Sequence, residues 1–306
     1  MKAIRFEALI KKVRQCAAAL PDRRTGANTQ FSMADIFLSA FLLFFQQYSS
    51  FRSFGQAMKT PLGAANAQNL FQIEGIPTDN HIRHCLDPIA PEHLFGLFDE
   101  VHQACDQQGL LQAMRAVNQT QLVALDGTCF FSSQSQNIHC PSCSCRHHTN
   151  GHITHSHSAL TPVIVSPTHE HVVPLAPEFI APQDGHQKQD CEINAAKRWL
   201  SRQAAHSPPD NGTLGGDDLF AREPFCRQAL LHGFHFLFTC KPPSHIHLSR
   251  WIADLEPGVD LHCHEQRLKG QGNRWHIHQY RWAKQVPLTD SPEALKVNWL
   301  EVRITD

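Results

Sequence analysis

The sequence predicts an α/β fold, a mixed sheet with flanking helices set between a helical N-terminal domain and a β-rich C-terminal segment. Three observations carry this. Residues 1–115 keep their apolar side chains at helical spacing; from Gln121 the pattern changes to short apolar runs bounded by turn residues; beyond Pro242 two further strand-like stretches follow. A chain of 306 residues has room for two domains of ordinary size, and 42% hydrophobic content is enough for a real core.

The N-terminal stretch MKAIRFEALIKKVRQ mixes charged and apolar residues at helical spacing and lacks the unbroken apolar core of a signal peptide. In SMADIFLSAFLLFFQQYSSFRSFGQAMK, Ser32 is the candidate N-cap, and apolar residues recur at three and four. Its longest apolar run, Ile36 to Phe45, is too short to cross a bilayer, so no membrane contact and a cytoplasmic location are expected. The segment DNHIRHCLDPIAPEHLFGLFDEVHQAC carries Pro88 and Pro91 as punctuation between short helices. A helix-turn-helix fits there, and plain helical packing fits as well.

The strands are LVALDGTCFF, TPVIVSP and HVVPLAP, then NGTLGGDDLF and FHFLFTCKP. Two helices interrupt the series. In HQKQDCEINAAKRWLSRQ, Ile193, Ala196, Trp199 and Leu200 share one side, while Lys188, Lys197, Arg198 and Arg202 lie largely elsewhere; the second helix is FCRQALLHG. Three strands, helix, strand, helix, strand is the order of a ribonuclease-H-like core, placed here over residues 116–242. A doubly wound sheet would need a helix between the first strands.

Composition narrows the chemistry. Eleven cysteines, an odd number scattered along a long chain, read as reduced thiols rather than a disulfide framework. A net charge of −1 with 22 histidines counted neutral gives no global basic field, so nucleic acid would have to be held by local patches.

Asp126 interrupts the apolar run LVALDGTCFF, where an unpaired carboxylate is costly to bury. Asp217 lies where the fourth strand should end, and a ribonuclease-H-like sheet makes the first and fourth strands neighbours. Two adjacent carboxylates repel unless cations neutralise them, and hard divalent ions, Mg2+ or Mn2+, suit oxygen ligands. Capping of a strand end is the plain alternative for each aspartate, and Asp218 competes with Asp217 for the ligand role.

The segments ALDGTCFFSS at 124–133, PLAPEFIAPQDGHQKQDCEINAAKRWL at 174–200 and GGDDLFAREPFCRQALLHGFHFLFTCKP at 215–242 resemble the catalytic domain of DDE transposases of bacterial insertion sequences. The helical segment before them resembles that family's N-terminal region. The resemblance implies Asp126 and Asp217 as catalytic acids, and metal-dependent cutting and joining of DNA, with transposon ends and target as partners and a homodimer as the candidate assembly. It also implies a third acid, a glutamate on a helix beyond a β-rich insertion. Residues 243–306 look like that insertion and offer only Glu256, Glu265, Glu293 and Glu301, each expected to be a surface charge. The expectation is therefore a truncated, catalytically incomplete copy. The alternatives are a residual DNA-binding or inhibitory protein without catalysis, and a zinc-stabilised structural protein.

Between the first two strands, IHCPSCSCRHHTNGHITHSHSALTP clusters cysteine and histidine in a hairpin placed at 139–157. Cys-x2-Cys spacing lets two thiolates occupy adjacent corners of a tetrahedron. The candidate set for structural Zn2+ is Cys140, Cys143, His155 and His157, with Cys145 or His152 as substitutes; a polar loop with incidental thiols is the other reading. Phosphate contact falls to Lys11, Lys12, Arg14, Arg23 and Arg24, and above all to Arg267, Lys269, Arg274, Arg281 and Lys284 among Trp275, Tyr280 and Trp282. Basic residues interleaved with aromatics suit backbone contact plus base stacking.

Overall fold

The computed structural model describes residues 5–25, 29–135, 138, 140, 142–182, 190–206, 212–269 and 275–305. It is a mixed α/β structure. Seven helices come first: α1 (Phe6–Ala18), α2 (Met33–Phe45), α3 (Phe51–Ala57), α4 (Pro61–Phe71), α5 (Asp79–Leu86), α6 (Gly96–Gln107) and the single turn α7 (Leu110–Ala113). Then come β1 (Gln121–Ala124), β2 (Gly127–Ser133), β3 (Ser144–His147), β4 (Ile153–Leu160), β5 (Val163–Ser166), β6 (His169–Pro174) and β7 (Glu178–Ile180). The chain continues through α8 (Glu192–His206), β8 (Gly212–Gly216), α9 (Glu223–Leu231), β9 (His235–Phe238), α10 (Ile246–Ala253), β10 (His262–Lys269), β11 (Trp275–Pro287) and β12 (Lys296–Thr305). Five strands share a sheet in the order β6-β5-β1-β8-β9; β10-β11-β12 form a meander; β2-β4-β3, with β7 on β4, form the third sheet. No described helix is long and apolar enough to cross a membrane.

Contacts divide the chain into two compact units, residues 1–115 with 163–177, and 116–162 with 178–306. In the first, polar caps set the helix starts. Ser32 accepts the Asp35 N–H at 3.0 Å, and Thr60 and Thr78 cap α4 and α5 in the same manner. Leu38, Leu42 and Leu43 of α2 pack with Ile10, Phe54 and Phe71, while Ile36 joins Ala17, Leu20 and Ile82 in a second cluster. The buried Asp35 is paired with Arg14 at 3.1 Å. The β5–β6 hairpin belongs to this unit.

In the second unit β1, β8 and β9 are parallel, with Ala124 opposite Gly215 and Gly216 opposite Phe238. Parallel strands are covered on their faces by helices, which accounts for the buried side of α8 (Ala195, Ala196, Trp199, Leu200) and of α9 (Phe225, Cys226, Ala229). Arg198 ties α8 to β7 and to the preceding loop, pairing with Glu178 and Asp190, each at 2.7 Å. Lys188, expected on the polar side of this helix, lies outside the described residues.

The structure differs from the sequence expectations in two places. LVALDGTCFF is not one strand: the run breaks at Leu125 and Asp126, and β1 and β2 belong to different sheets. The reason is local. The Leu125 N–H still donates to Gly215 in the parallel sheet, but the Asp126 carbonyl turns to accept the Thr161 N–H, so Gly127 starts an antiparallel ladder with Leu160. The Cys/His hairpin expected at 139–157 is present, since β3 and β4 pair from Ser144–Ser156 to His147–Ile153. Residues 243–306 contain more than two strands: α10 and β10 precede them, and Leu248, Ile252, Leu261, Ala283, Val286 and Leu288 form one cluster with Cys226 of α9.

A bulge breaks the β11–β12 ladder. Ala283 faces Trp299 and Val286 faces Val297, so Lys284 and Gln285 together oppose Asn298, and Gln285 takes a left-handed φ of 56°.

Candidate functional site

Two groups of side chains in the second unit can hold ions, and they differ in chemistry. The first is acidic. Asp126 and Asp217 each lie two residues beyond the paired positions Ala124 and Gly215 of neighbouring parallel strands. Strands in a sheet are about 4.8 Å apart, so the register brings both aspartates to the same carboxyl end of the sheet, where open α/β sheets bind ligands. Both are exposed. Asp217 also orders its own turn, its Oδ1 accepting the Leu219 N–H at 2.9 Å.

Asp218 is a different kind of residue. It is buried, its Oδ1 accepts the Lys241 N–H at 2.7 Å and lies 3.2 Å from His245 Nε2, and Arg222 is 3.9 Å from Oδ2. Burial alone would raise its pKa. The Lys241 N–H, the Ser244 hydroxyl and the charges of His245 and Arg222 outweigh burial and hold the carboxyl below its ordinary value. Asp218 thus anchors the turn after β9 and does not face the acidic end.

A third carboxylate joins Asp126 and Asp217. Glu192, first residue of α8, lays its side chain over Gly127: a β-carbon there would stand 2.2 Å from Glu192 Cδ and 2.3 Å from Oε1. Burial pushes the Glu192 carboxyl up, and the charges of Asp126 and Asp217 push it further. The sequence reading passed over Glu192 because a glutamate in the first turn of a helix has an ordinary explanation, favourable interaction with the helix dipole. The one trace in the sequence is the glycine after Asp126; in the structure Gly127 has no positive φ and so is glycine for close approach rather than for backbone freedom. The other glutamates are placed elsewhere: Glu265 in β10, Glu301 in β12 with Arg281 and Arg303, and Glu256 and Glu293 outside the strands.

The second group is soft. Cys140 Sγ, Cys143 Sγ and His157 Nε2 lie within 4.8 Å of one another, and among the described residues this is the one group of three or more His, Cys, Asp or Glu that close. The three carboxylates do not approach that tightly. Cys143 is buried, 3.2 Å from His157 Nε2, with Cys140 at 3.6 Å. A Cys-x2-Cys turn holds the thiols together, the Cys143 N–H donating to the Cys140 carbonyl at 3.2 Å. The Cys143 thiol is pushed up to about 11, first by burial and then by Cys140 and Cys145. Phe130 and Phe131 flank the His157 ring, with centroids at 5.8 and 5.6 Å. The structure therefore brings together three of the four expected residues. The fourth, His155, turns its Nδ1 to Cys145 Sγ at 3.3 Å. His152 is exposed at the β3–β4 turn.

The expected nucleic-acid surface separates into two faces. Pairing of Lys269 with Trp275, Arg267 with Ile277 and Cys263 with Arg281 puts Arg267, Lys269 and Arg281 on one face with Trp275. Tyr280 and Trp282 point to the other, stacked on His264 and His262. Interleaving along a strand becomes segregation in a sheet, because the side-chain period is two. Lys284 sits in the bulge, Arg281 is paired with Glu301 at 3.0 Å, and Arg274 lies outside the described residues. In the helical unit Lys12, Arg14 and Arg24 are engaged with Glu100, Asp35 and Asp22.

Compared with known proteins, the sequence matches no family model and no curated protein.

Proposed function

We propose that this chain is a DDE-class transposase that cuts and joins DNA by metal-dependent phosphoryl transfer. The observation that carries this reading is the meeting of Asp126 and Asp217 at the ends of neighbouring parallel strands, with Glu192 against Gly127 beside them. The order within the second unit supports it: counted as core strands, the parallel neighbours β1-β8-β9 are first, fourth and fifth, as a ribonuclease-H-like core requires. In place of the glutamate expected beyond the insertion, we read Glu192 of α8, whose carboxyl feels the charges of Asp126 and Asp217, as the candidate third carboxylate.

The donor set fits Mg2+ or Mn2+: three hard oxygen donors, two of them exposed, whose mutual repulsion a divalent cation would relieve. Asp126 and Asp217, with Glu192 as third carboxylate, would hold such ions, which would supply activation of an attacking oxygen and stabilisation of the leaving one. In hydrolysis at a transposon end, water oxygen bonds to phosphorus, the P–O3′ bond breaks, and the departing O3′ takes a proton. In strand transfer the freed 3′ hydroxyl attacks a target phosphodiester in the same manner. DNA would lie along the cations Arg267, Lys269 and Lys284. The Cys140, Cys143 and His157 cluster is too soft for this chemistry and suits structural Zn2+.

The test is nicking of supercoiled plasmid with Mg2+ or Mn2+. Wild type should nick, and Asp126→Ala, Asp217→Ala and Glu192→Gln should each lose nicking while keeping salt-sensitive DNA binding. Binding without nicking by the wild type would leave a DNA-binding or inhibitory protein, and absence of both would end the nucleic-acid reading.

A further inference from the structure

The zinc reading above accounts for three ligands, and a structural zinc site is closed by four. The missing corner has to come from the same face of the β3–β4 ladder. Cys145 is paired directly with His155, and stepping back two residues along β3 and forward two along β4 brings Cys143 opposite His157. Side chains two apart on a strand point the same way, so Cys143, Cys145, His155 and His157 line one face, with Cys140 brought over it by its turn. The neighbouring histidines are otherwise engaged: His148 Nε2 is 2.9 Å from the Thr154 hydroxyl, and His152 is exposed at the turn.

We infer that Cys145 is the fourth ligand, giving a zinc site of three thiolates and one imidazole (Cys140, Cys143, Cys145, His157), with His155 as the hydrogen-bond partner of the Cys145 sulfur. This deepens the zinc assignment made above and rests on it. Two contacts favour Cys145 over His155. The Cys145 sulfur lies 4.0 Å from the backbone carbonyl of the ligand Cys143. His155 Nδ1 is already 3.3 Å from that sulfur, the position from which a ring N–H donates to a metal-bound thiolate and orients it.

Zinc binding would release the thiol protons and fasten three separate pieces of chain, the turn at Cys140 and strands β3 and β4. Residue His157 and Leu160, the partner of Gly127, are on the same strand, so the ion stiffens the strand against which the acidic end is built.

The experiment uses the full chain, stripped with chelator and reloaded with Co2+ in place of Zn2+, with thiolate-to-cobalt charge-transfer absorbance as the readout. Wild type should show the intensity of three thiolates. Cys145→Ser should keep roughly two thirds of it, two thiolates of the three remaining. His155→Gln should keep full intensity while affinity falls about 10- to 100-fold. If Cys145→Ser matches wild type and His155→Gln changes the spectrum, His155 is the ligand and this inference is overturned, with the zinc site intact. If wild type gives no cobalt–thiolate band, the zinc assignment itself falls. Peptide-level alkylation of the wild type gives an answer independent of variant folding: zinc should protect Cys140, Cys143 and Cys145 together, and labelling of Cys145 in zinc-loaded protein would overturn the inference.

Discussion

Replacing Gly127 by alanine separates the work of the acidic end from the stability of the fold. The new β-carbon would stand 2.2 Å from Glu192 Cδ, 2.3 Å from Oε1 and 2.7 Å from Cγ. Carbon atoms rest about 3.5–4.0 Å apart, so the carboxyl must retreat by about 1.3 Å or more. What it meets is the flexible end of a side chain. The retreat is a change of rotamer, worth about 0.5–1.5 kcal/mol at most if it lands off a staggered well. Alanine also restricts the unfolded chain, a gain of about 0.4–1 kcal/mol where the backbone permits it, and Gly127 has no positive φ to forbid it. The two nearly cancel, so stability should change by no more than about 1 kcal/mol. Function should not be spared: a misplacement of about 1 Å can cost about 10²-fold in rate. The assays are urea unfolding and Mn2+-dependent plasmid nicking on the same preparation, with Mn2+ affinity by electron paramagnetic resonance. Since the effect runs through one side chain, adding Gly127→Ala to Glu192→Ala should cost nothing more. Nicking at the wild-type rate, an additive double variant, or a stability loss above about 3 kcal/mol would each refute the reasoning.

Other expectations follow from single contacts. Burial first, then Asp126 and Asp217, raise the Glu192 carboxyl, so the folded state holds that proton more tightly than the unfolded state does. The destabilising charge is absent below the ordinary carboxylate range and grows as pH rises from there through the raised value. Glu192→Gln should therefore stabilise the metal-free protein in urea unfolding at pH 7.5 and lose that advantage at pH 4; equal curves at both would contradict it. Asp218→Ala leaves the Lys241 N–H without its acceptor and should cost about 1–3 kcal/mol. Because the Asp218 carboxyl is held low, its contribution is present above the ordinary aspartate value and should fade as pH falls through the depressed one, which a pH series of unfolding midpoints reads. Trp199 is 1% exposed and its Nε1 has no hydrogen-bond partner among the described residues. Trp199→Ala should cost about 3–5 kcal/mol, and Trp199→Phe much less; equal losses would show that the indole N–H matters.

What the sequence revealed was local chemistry. Ser32 was visible as a cap because capping is decided within four residues, and the apolar runs of β5, β6, β8 and β9 declared themselves by composition. β4, ITHSHSAL, was hidden because its alternation is histidine with serine and threonine rather than polar with apolar. β10, HCHEQRLK, is exposed along its whole length and offered no buried face to detect. In the site, Asp126 stood out as a charge in an apolar run. Glu192 did not, because its meaning lies in Gly127, and only the folded chain brings the two together. The basic and aromatic residues of β11 were legible as types but not as faces, since the partition needs the register with β10.

The bulge at Lys284 and Gln285 does more than bend a strand. Ala283 and Val286 are three residues apart, an odd spacing that strict alternation would send to opposite sides, yet both are buried in the same cluster. The extra residue resets the parity of β11 near its C-terminal end, so that one continuous strand can commit residues on both sides of the bulge to one interior. A one-residue deletion there would remove no buried atom and still force Ala283 or Val286 into water, which makes this the place in the C-terminal meander where length matters more than identity.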